Sequence, residues 1–114
     1  MKLKMLKSAI FDATVTEADL NYIGSISIDE DLIEKADLMA GENVLVVDKT
    51  NGSRLETYVI VGKRGSGVIC MNGAAAHLIN KNDKVAIMTF ELTNKETSPL
   101  FVLVDKENKF VKYC

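Results

Sequence analysis

One histidine, His77, is all that the 114 residues contain. That scarcity excludes a His-rich metal centre. It also leaves no readable serine–histidine–aspartate order among scattered serines. His77 follows three alanines and reads as a structural or surface residue. Proline is equally scarce. Pro99 is alone, no linker-like or repeated stretch interrupts the chain, and the length is that of a single domain, 1–114. The two cysteines, Cys70 and Cys114, lie far apart without CxxC spacing, as reduced thiols do. A basic surplus is missing too: 14 Lys and Arg against 16 Asp and Glu give a net charge of −2, so nucleic acid is set aside as a partner. No apolar run approaches the roughly 20 residues of a membrane span, and the apolar part of MKLKMLKSAI is too short for a signal peptide. A cytoplasmic protein is expected. There is no GxGxxG or Walker-type loop, and Gly65-Ser66-Gly67 reads as a tight turn.

What is present is a succession of short extended segments. Leu3 to Val15 is loosely extended. Ser25 to Ile28 alternates as a short strand, and Asp29 reads as a helix N-cap before acidic residues and apolar Leu32, Ile33 and Ala36 at helical spacing. That helix is expected to stop near Met39 to Gly41. Asn43 to Asp48 is a strand, Asn51-Gly52 a hairpin signal, and Arg54 to Val61 a second strand. Val68 to Met71 follows the Gly62 to Gly67 turn. Asn72-Gly73 breaks that strand, and Ala74 to Leu78 forms a helical turn. Asp83 to Phe90 and Leu100 to Val104 complete the strands, with a turn at Lys106 to Lys109. The class expected is mainly β, a small barrel with one or two short helices.

One step carries unusual chemical potential. Tyr22-Ile23-Gly24-Ser25-Ile26-Ser27 sets Gly-Ser inside a strand-like run, where glycine marks a bulge or a close backbone approach. A serine hydroxyl can attack the preceding carbonyl if that peptide is bent, and glycine accepts such geometry readily. The resulting ester can eliminate to dehydroalanine, whose hydrolysis leaves a pyruvoyl group. Taken alone, Gly-Ser is a common step and reads as an ordinary piece of strand.

Its surroundings change that reading. Val15 to Asp29 resembles the processing segment of the bacterial aspartate 1-decarboxylase family. Asn51-Gly52-Ser53-Arg54-Leu55-Glu56-Thr57-Tyr58 resembles that family's next motif, and Asn72-Gly73-Ala74-Ala75-Ala76 its third. The similarity runs from about Met5 to Phe90 and continues weakly through Phe101 to Asp105. The resemblance implies a double-psi β-barrel, a homotetramer with active sites between subunits, and self-cleavage between Gly24 and Ser25 into pieces 1–24 and 25–114. It implies a pyruvoyl group made from Ser25 that forms a Schiff base with the substrate amine and accepts electrons, with no metal. A helper protein for maturation is an open possibility. The resemblance also assigns residues. Arg54 holds a substrate carboxylate, as its planar fork suits. Thr57 assists self-cleavage and lines the substrate site, Tyr58 donates a proton, and Asn72, Gly73, Ala74 and Ala75 contact the pyruvoyl group and substrate. Tyr22 lies beside the cut. Thr57 and Tyr58 are adjacent, so on a regular strand they face opposite sides. One must serve a different wall of the site, or the strand must bulge.

The chain departs from the family at Ala9-Ile10-Phe11, where a lysine, an aliphatic residue and a histidine are usual. The family lysine helps bind a substrate carboxylate. Lys7 would share a strand face with Ala9 and could replace it only if the strand shifts. Three functions are therefore carried forward: decarboxylation of L-aspartate to β-alanine and CO2 for pantothenate synthesis, pyruvoyl-dependent decarboxylation of another amino acid, and a non-catalytic binding or regulatory relative.

Overall fold

The computed structural model describes residues 1–114. Its strands are β1 (Leu3–Thr14), β2 (Glu17–Asp19), β3 (Ser25–Asp29), β4 (Asn43–Asp48), β5 (Arg54–Gly62), β6 (Ile69–Asn72), β7 (Lys84–Thr93), β8 (Leu100–Val104) and β9 (Phe110–Tyr113). A helix, α1 (Glu30–Lys35), follows β3, and a 3-10 helix (Gly73–His77) follows β6. The mainly-β class with two short helices is thus the architecture observed. No helix is long and apolar enough to cross a membrane.

The strands hydrogen-bond in the order β2-β6-β3-β5-β4-β7-β1-β8-β9. Three pairs are parallel (β2 with β6, β3 with β5, β1 with β8), so the sheet is mixed. It coils into a small barrel. The chain leaving β1 ties the far strands together, with Val15 N donating to Asp83 O at 2.9 Å and Thr16 N to Ile69 O at 2.8 Å. Alternate residues of most strands point inward: Ile26 and Ile28 from β3, Val44 and Val46 from β4, Val85 and Ile87 from β7, Val102 and Val104 from β8. With Leu32 and Ile33 of α1 they belong to one core cluster of 19 buried residues.

Asp29 fixes the turn from β3 into α1. Its Oδ1 accepts from Asp31 N at 2.9 Å, the expected N-cap bond, and from Gly65 N at 3.0 Å, while Oδ2 accepts from Gly67 N at 2.7 Å. The helix ends sooner than expected, at Lys35, because Asp37 adopts a left-handed φ of 55°. Ala36 and Leu38 stay buried, carried by the turn beyond the helix. Gly24 also differs from expectation. It lies in a bend before β3, not within a strand, because pairing with β6 begins only at Ser25. Strand β1 bulges between Leu6 and Ser8 and again between Ile10 and Ala13.

Asp29 is 1% exposed, and burial pushes its carboxyl upward, but the amide donors of Gly67, Asp31 and Gly65 outweigh that and hold it below the usual aspartate value. A depressed folded value stabilises the fold above the unfolded pKa near 3.9, and that contribution is lost as pH falls through the folded value. Asp29→Ala is expected to cost about 3 kcal/mol, since a cap and two further charge-assisted bonds are lost together. Urea unfolding at pH 7 and pH 3 checks both statements: the gap between wild type and variant should narrow at the lower pH.

Candidate active site

Ser25 opens β3 opposite Asn72, the last residue of β6, and is completely buried. Its Oγ donates to Ile23 O at 2.9 Å and accepts from Asn72 Nδ2 at 3.0 Å. The same Nδ2 donates to Ser27 Oγ at 3.1 Å. Cys70 completes the chain of bonds, its Sγ lying 3.1 Å from Asn72 Oδ1. Burial, then the charges of Glu17 and Asp19, push the Cys70 thiol up, so it keeps its proton and donates. The Asn72 amide is therefore oriented with its oxygen toward Cys70 and its donors toward both serines.

Two backbones meet beside this cluster. Gly73 has φ of +69°, and a Cβ built on it would lie 2.7 Å from Gly24 Cα and 2.8 Å from Gly24 N. The glycine that the close approach demands is thus Gly73, whereas a Cβ at Gly24 would meet nothing within 4 Å. A cavity of about 280 Å³ opens there, lined by Gly24, Leu55, Thr57, Asn72, Ala74 and Ala75 among others. Five of the residues singled out from sequence (Gly24, Thr57, Asn72, Ala74 and Ala75) therefore converge next to Ser25, with Gly73 packed against Gly24. Tyr22 is half exposed on the approach to Gly24.

Arg54 and Tyr58 do not join them. Strand β5 pairs with β4 without a register shift, Val47 opposite Arg54, Leu45 opposite Glu56 and Asn43 opposite Tyr58. Directly opposed residues share a face. Arg54 and Tyr58 therefore lie on the outer face with Val47, while the alternate residues Thr57 and Val59 turn the other way. Of the two alternatives read from sequence, the bulge is absent. Beside Arg54 on that outer face, Phe11, Val47 and Ala86 help line a second cavity of about 340 Å³.

The positions that depart from the family pattern are also resolved. Ala9 is buried, and Phe11 stacks on Phe101 with ring centroids 5.6 Å apart. Lys7 sits at the first bulge and does not stand in for a cation at position 9. Its Nζ is bound to Glu42 Oε2 at 2.8 Å and Asp37 O at 2.7 Å. Sequence reasoning passed over Cys70 and Ser27. The available signal was spacing: Cys70 and Asn72 are two apart on β6, as Ser25 and Ser27 are on β3, so each pair shares a face.

The family model described as Aspartate decarboxylase matches residues 1–111. The chain is 51% identical over 115 residues to the Aspartate 1-decarboxylase of Acetivibrio thermocellus, covering 97% of this chain and 91% of that protein. It is 54% identical over 116 residues to that of Caldicellulosiruptor saccharolyticus, covering 98% and 91%. For the Aspartate 1-decarboxylase of Bacillus velezensis the identity is 50% over 109 residues, covering 92% and 86%. Near-complete coverage at half identity, together with the buried Ser25 cluster, leaves one assignment: the chain belongs to the aspartate decarboxylase family.

Proposed function

We propose that the chain cuts itself between Gly24 and Ser25 and then removes the α-carboxylate of L-aspartate, giving β-alanine and CO2. The observation that carries this reading is the Ser25 hydroxyl, buried and held between Ile23 O and Asn72 Nδ2, beside a cavity that its neighbours Gly24 and Asn72 line. A buried hydroxyl with fixed partners is poised toward its own backbone, shielded from water that would hydrolyse an ester prematurely. Thr57 lines the same cavity as Gly24, which suits a hydroxyl donor to the Gly24 carbonyl. The pocket also suits the group that the family uses: Asn72 aims donors at the Ser25 position, and Ala74 and Ala75 leave room above it. A pyruvoyl group at residue 25 supplies the carbonyl that takes up the electron pair left when CO2 departs.

The remaining roles fall to a second copy of the chain. Arg54 and Tyr58 point away from Ser25 of their own barrel, and Tyr58 is exposed. In a homotetramer with sites between subunits, Arg54 of one copy holds the substrate carboxylate over the Ser25 cavity of its neighbour, and the Tyr58 phenol returns a proton to the substrate carbon. A second reading, decarboxylation of a less acidic amino acid, is favoured by one observation: the buried Ala9 brings no cation, and Lys7 is committed to Glu42. A panel of amino acids decides between them, since CO2 release confined to aspartate removes the second.

Intact-mass analysis of purified protein is expected to give pieces 1–24 and 25–114, the larger with a blocked N-terminus, while Ser25→Ala stays whole. An uncut wild-type chain after long incubation would contradict self-processing without a helper protein. Sites shared between copies make a further expectation. Ser25→Ala and Tyr58→Phe are each inactive, yet co-assembled in equal amounts they recover about a quarter of wild-type CO2 release, because random pairing gives that share of sites with both groups. No recovery would place both groups of a site on one chain.

A further inference from the structure

Asp48 ends β4 and Asp83 immediately precedes β7, and their carboxyl groups are in hydrogen-bonding contact beneath the hairpin that leads into Arg54. Asp48 is 1% exposed and Asp83 8%. Backbone donors account for one oxygen of each. Asp48 Oδ1 accepts from Thr50 N at 2.7 Å and Asn51 N at 3.2 Å, and Asp83 Oδ2 accepts from Asn80 N at 2.9 Å. Asp48 Oδ2 has no donor, and no other buried side-chain nitrogen or oxygen in the chain lacks a partner. An ionised oxygen in that position is strongly disfavoured, and two touching carboxylates do not both ionise. The nearby lysines offer no relief. Lys49 Nζ turns to Asp12 at 3.6 Å, and Lys84 Nζ donates to Thr14 Oγ1 at 2.6 Å. Asp83 is the charged group in direct contact with Asp48.

We infer that Asp48 keeps a proton on its buried Oδ2, shared as a hydrogen bond with Asp83, and that this proton clamps the hairpin carrying Arg54 to the loop before β7, making the two acids positioning residues for Arg54. With the proton on Asp48 Oδ2, the unpartnered oxygen becomes a donor to Asp83. Burial, then the contact with Asp83, hold Asp48 above the usual aspartate value, the direction that sharing requires. Other bonds join the same segments and are drawn apart when the clamp opens. Lys49 N donates to Lys84 O at 2.7 Å, Lys84 N to Thr50 Oγ1 at 3.0 Å, and Asn51 Nδ2 to Leu78 O at 2.8 Å. Leu78 itself borders the Ser25 cavity, so the clamp connects the Arg54 hairpin to that cavity's rim. A raised folded value favours the fold fully below the unfolded aspartate pKa. The contribution is lost as pH rises through the pair's own value, when two like charges face each other inside the protein.

Proton sharing can be read without any turnover; only its link to substrate rests on the role proposed above for Arg54. Carboxyl 13C NMR of the intact protein, with signals assigned through Asp48→Asn and Asp83→Asn, follows the pair directly. One proton is expected to remain bound well above about pH 3.9, and the amides of Thr50 to Ser53 lose hydrogen-exchange protection as it leaves. In Asp48→Asn the amide NH2 takes the proton's place, so protection holds across the same range. In Asp48→Ala the acceptor of Thr50 N and Asn51 N is lost together with the clamp, so protection falls about tenfold or more at every pH, Ser53 included. Two carboxyls that titrate independently near or below pH 3.9, or full protection in Asp48→Ala, would overturn the clamp. With aspartate as substrate, KM rises about tenfold over the pH range in which the proton leaves, kcat changes little, and Asp48→Asn abolishes the rise. A pH-independent KM while NMR shows the proton leaving would overturn the positioning of Arg54. Lack of turnover in wild type and variants alike, with the NMR result intact, would count against the decarboxylase reading instead.

Discussion

A regular strand cannot turn two adjacent residues to the same side, and β5 is regular along its whole pairing with β4. That pleat divides the candidate site residues of this chain into two sets. Thr57 lines the cavity with Gly24, Asn72 and Ala75, and Arg54 and Tyr58 go with Val47 on the other side of the strand. The barrel core enforces the division, because Val59 and Val44 are buried and a one-residue slip would carry both into solvent. On the reading proposed above, a single barrel would carry half of one site and half of another, and association would be part of the chemistry as well as of stability.

The interior treats its two most buried aspartates in opposite ways. Asp29 meets three amide donors and is held ionised, which fixes α1 and the Gly65 to Gly67 turn against β3. Asp48 meets two amides on one oxygen and another acid on the other side, and is held toward its neutral form. Side-chain identity and depth of burial are nearly the same, so the count of donors decides the charge. The thiol of Cys70 follows the same logic. Burial and two nearby carboxylates keep it protonated, and as a donor it settles which way the Asn72 amide faces.

Much of this was legible in the sequence because it depends on local pattern. Asn43–Asp48 and Leu100–Val104 are strands with the bounds expected from their apolar runs, and Asp29 caps α1 as its side chain suggested. The three motifs around Ser25, Arg54 and Asn72 were legible by resemblance, and all three meet in one cavity, through Gly24, Thr57 and Asn72. What escaped depends on partners distant in the chain. Strand β2 is three exposed residues without alternation, and it exists because Glu17 to Asp19 pair with β6. The end of α1 follows from the left-handed Asp37, although the apolar spacing continues to Leu38. The two bulges of β1 come from its pairing with β7, and the first of them commits Lys7 to Glu42.

The position of β1 has a consequence for folding. This strand lies between β7 and β8, inside the sheet order and not at its edge, and residues 1–24 contain all of it. A cut after Gly24 would thus leave the short fragment woven through the sheet, held on both edges by backbone hydrogen bonds. Before the cut, the barrel forms by the search of one chain, at a rate independent of concentration. After it, two strangers would have to find each other in solution, so reassembly becomes second order and slows on dilution. A barrel folded before such a cut would thus persist kinetically even at dilutions where its two pieces would reassemble slowly.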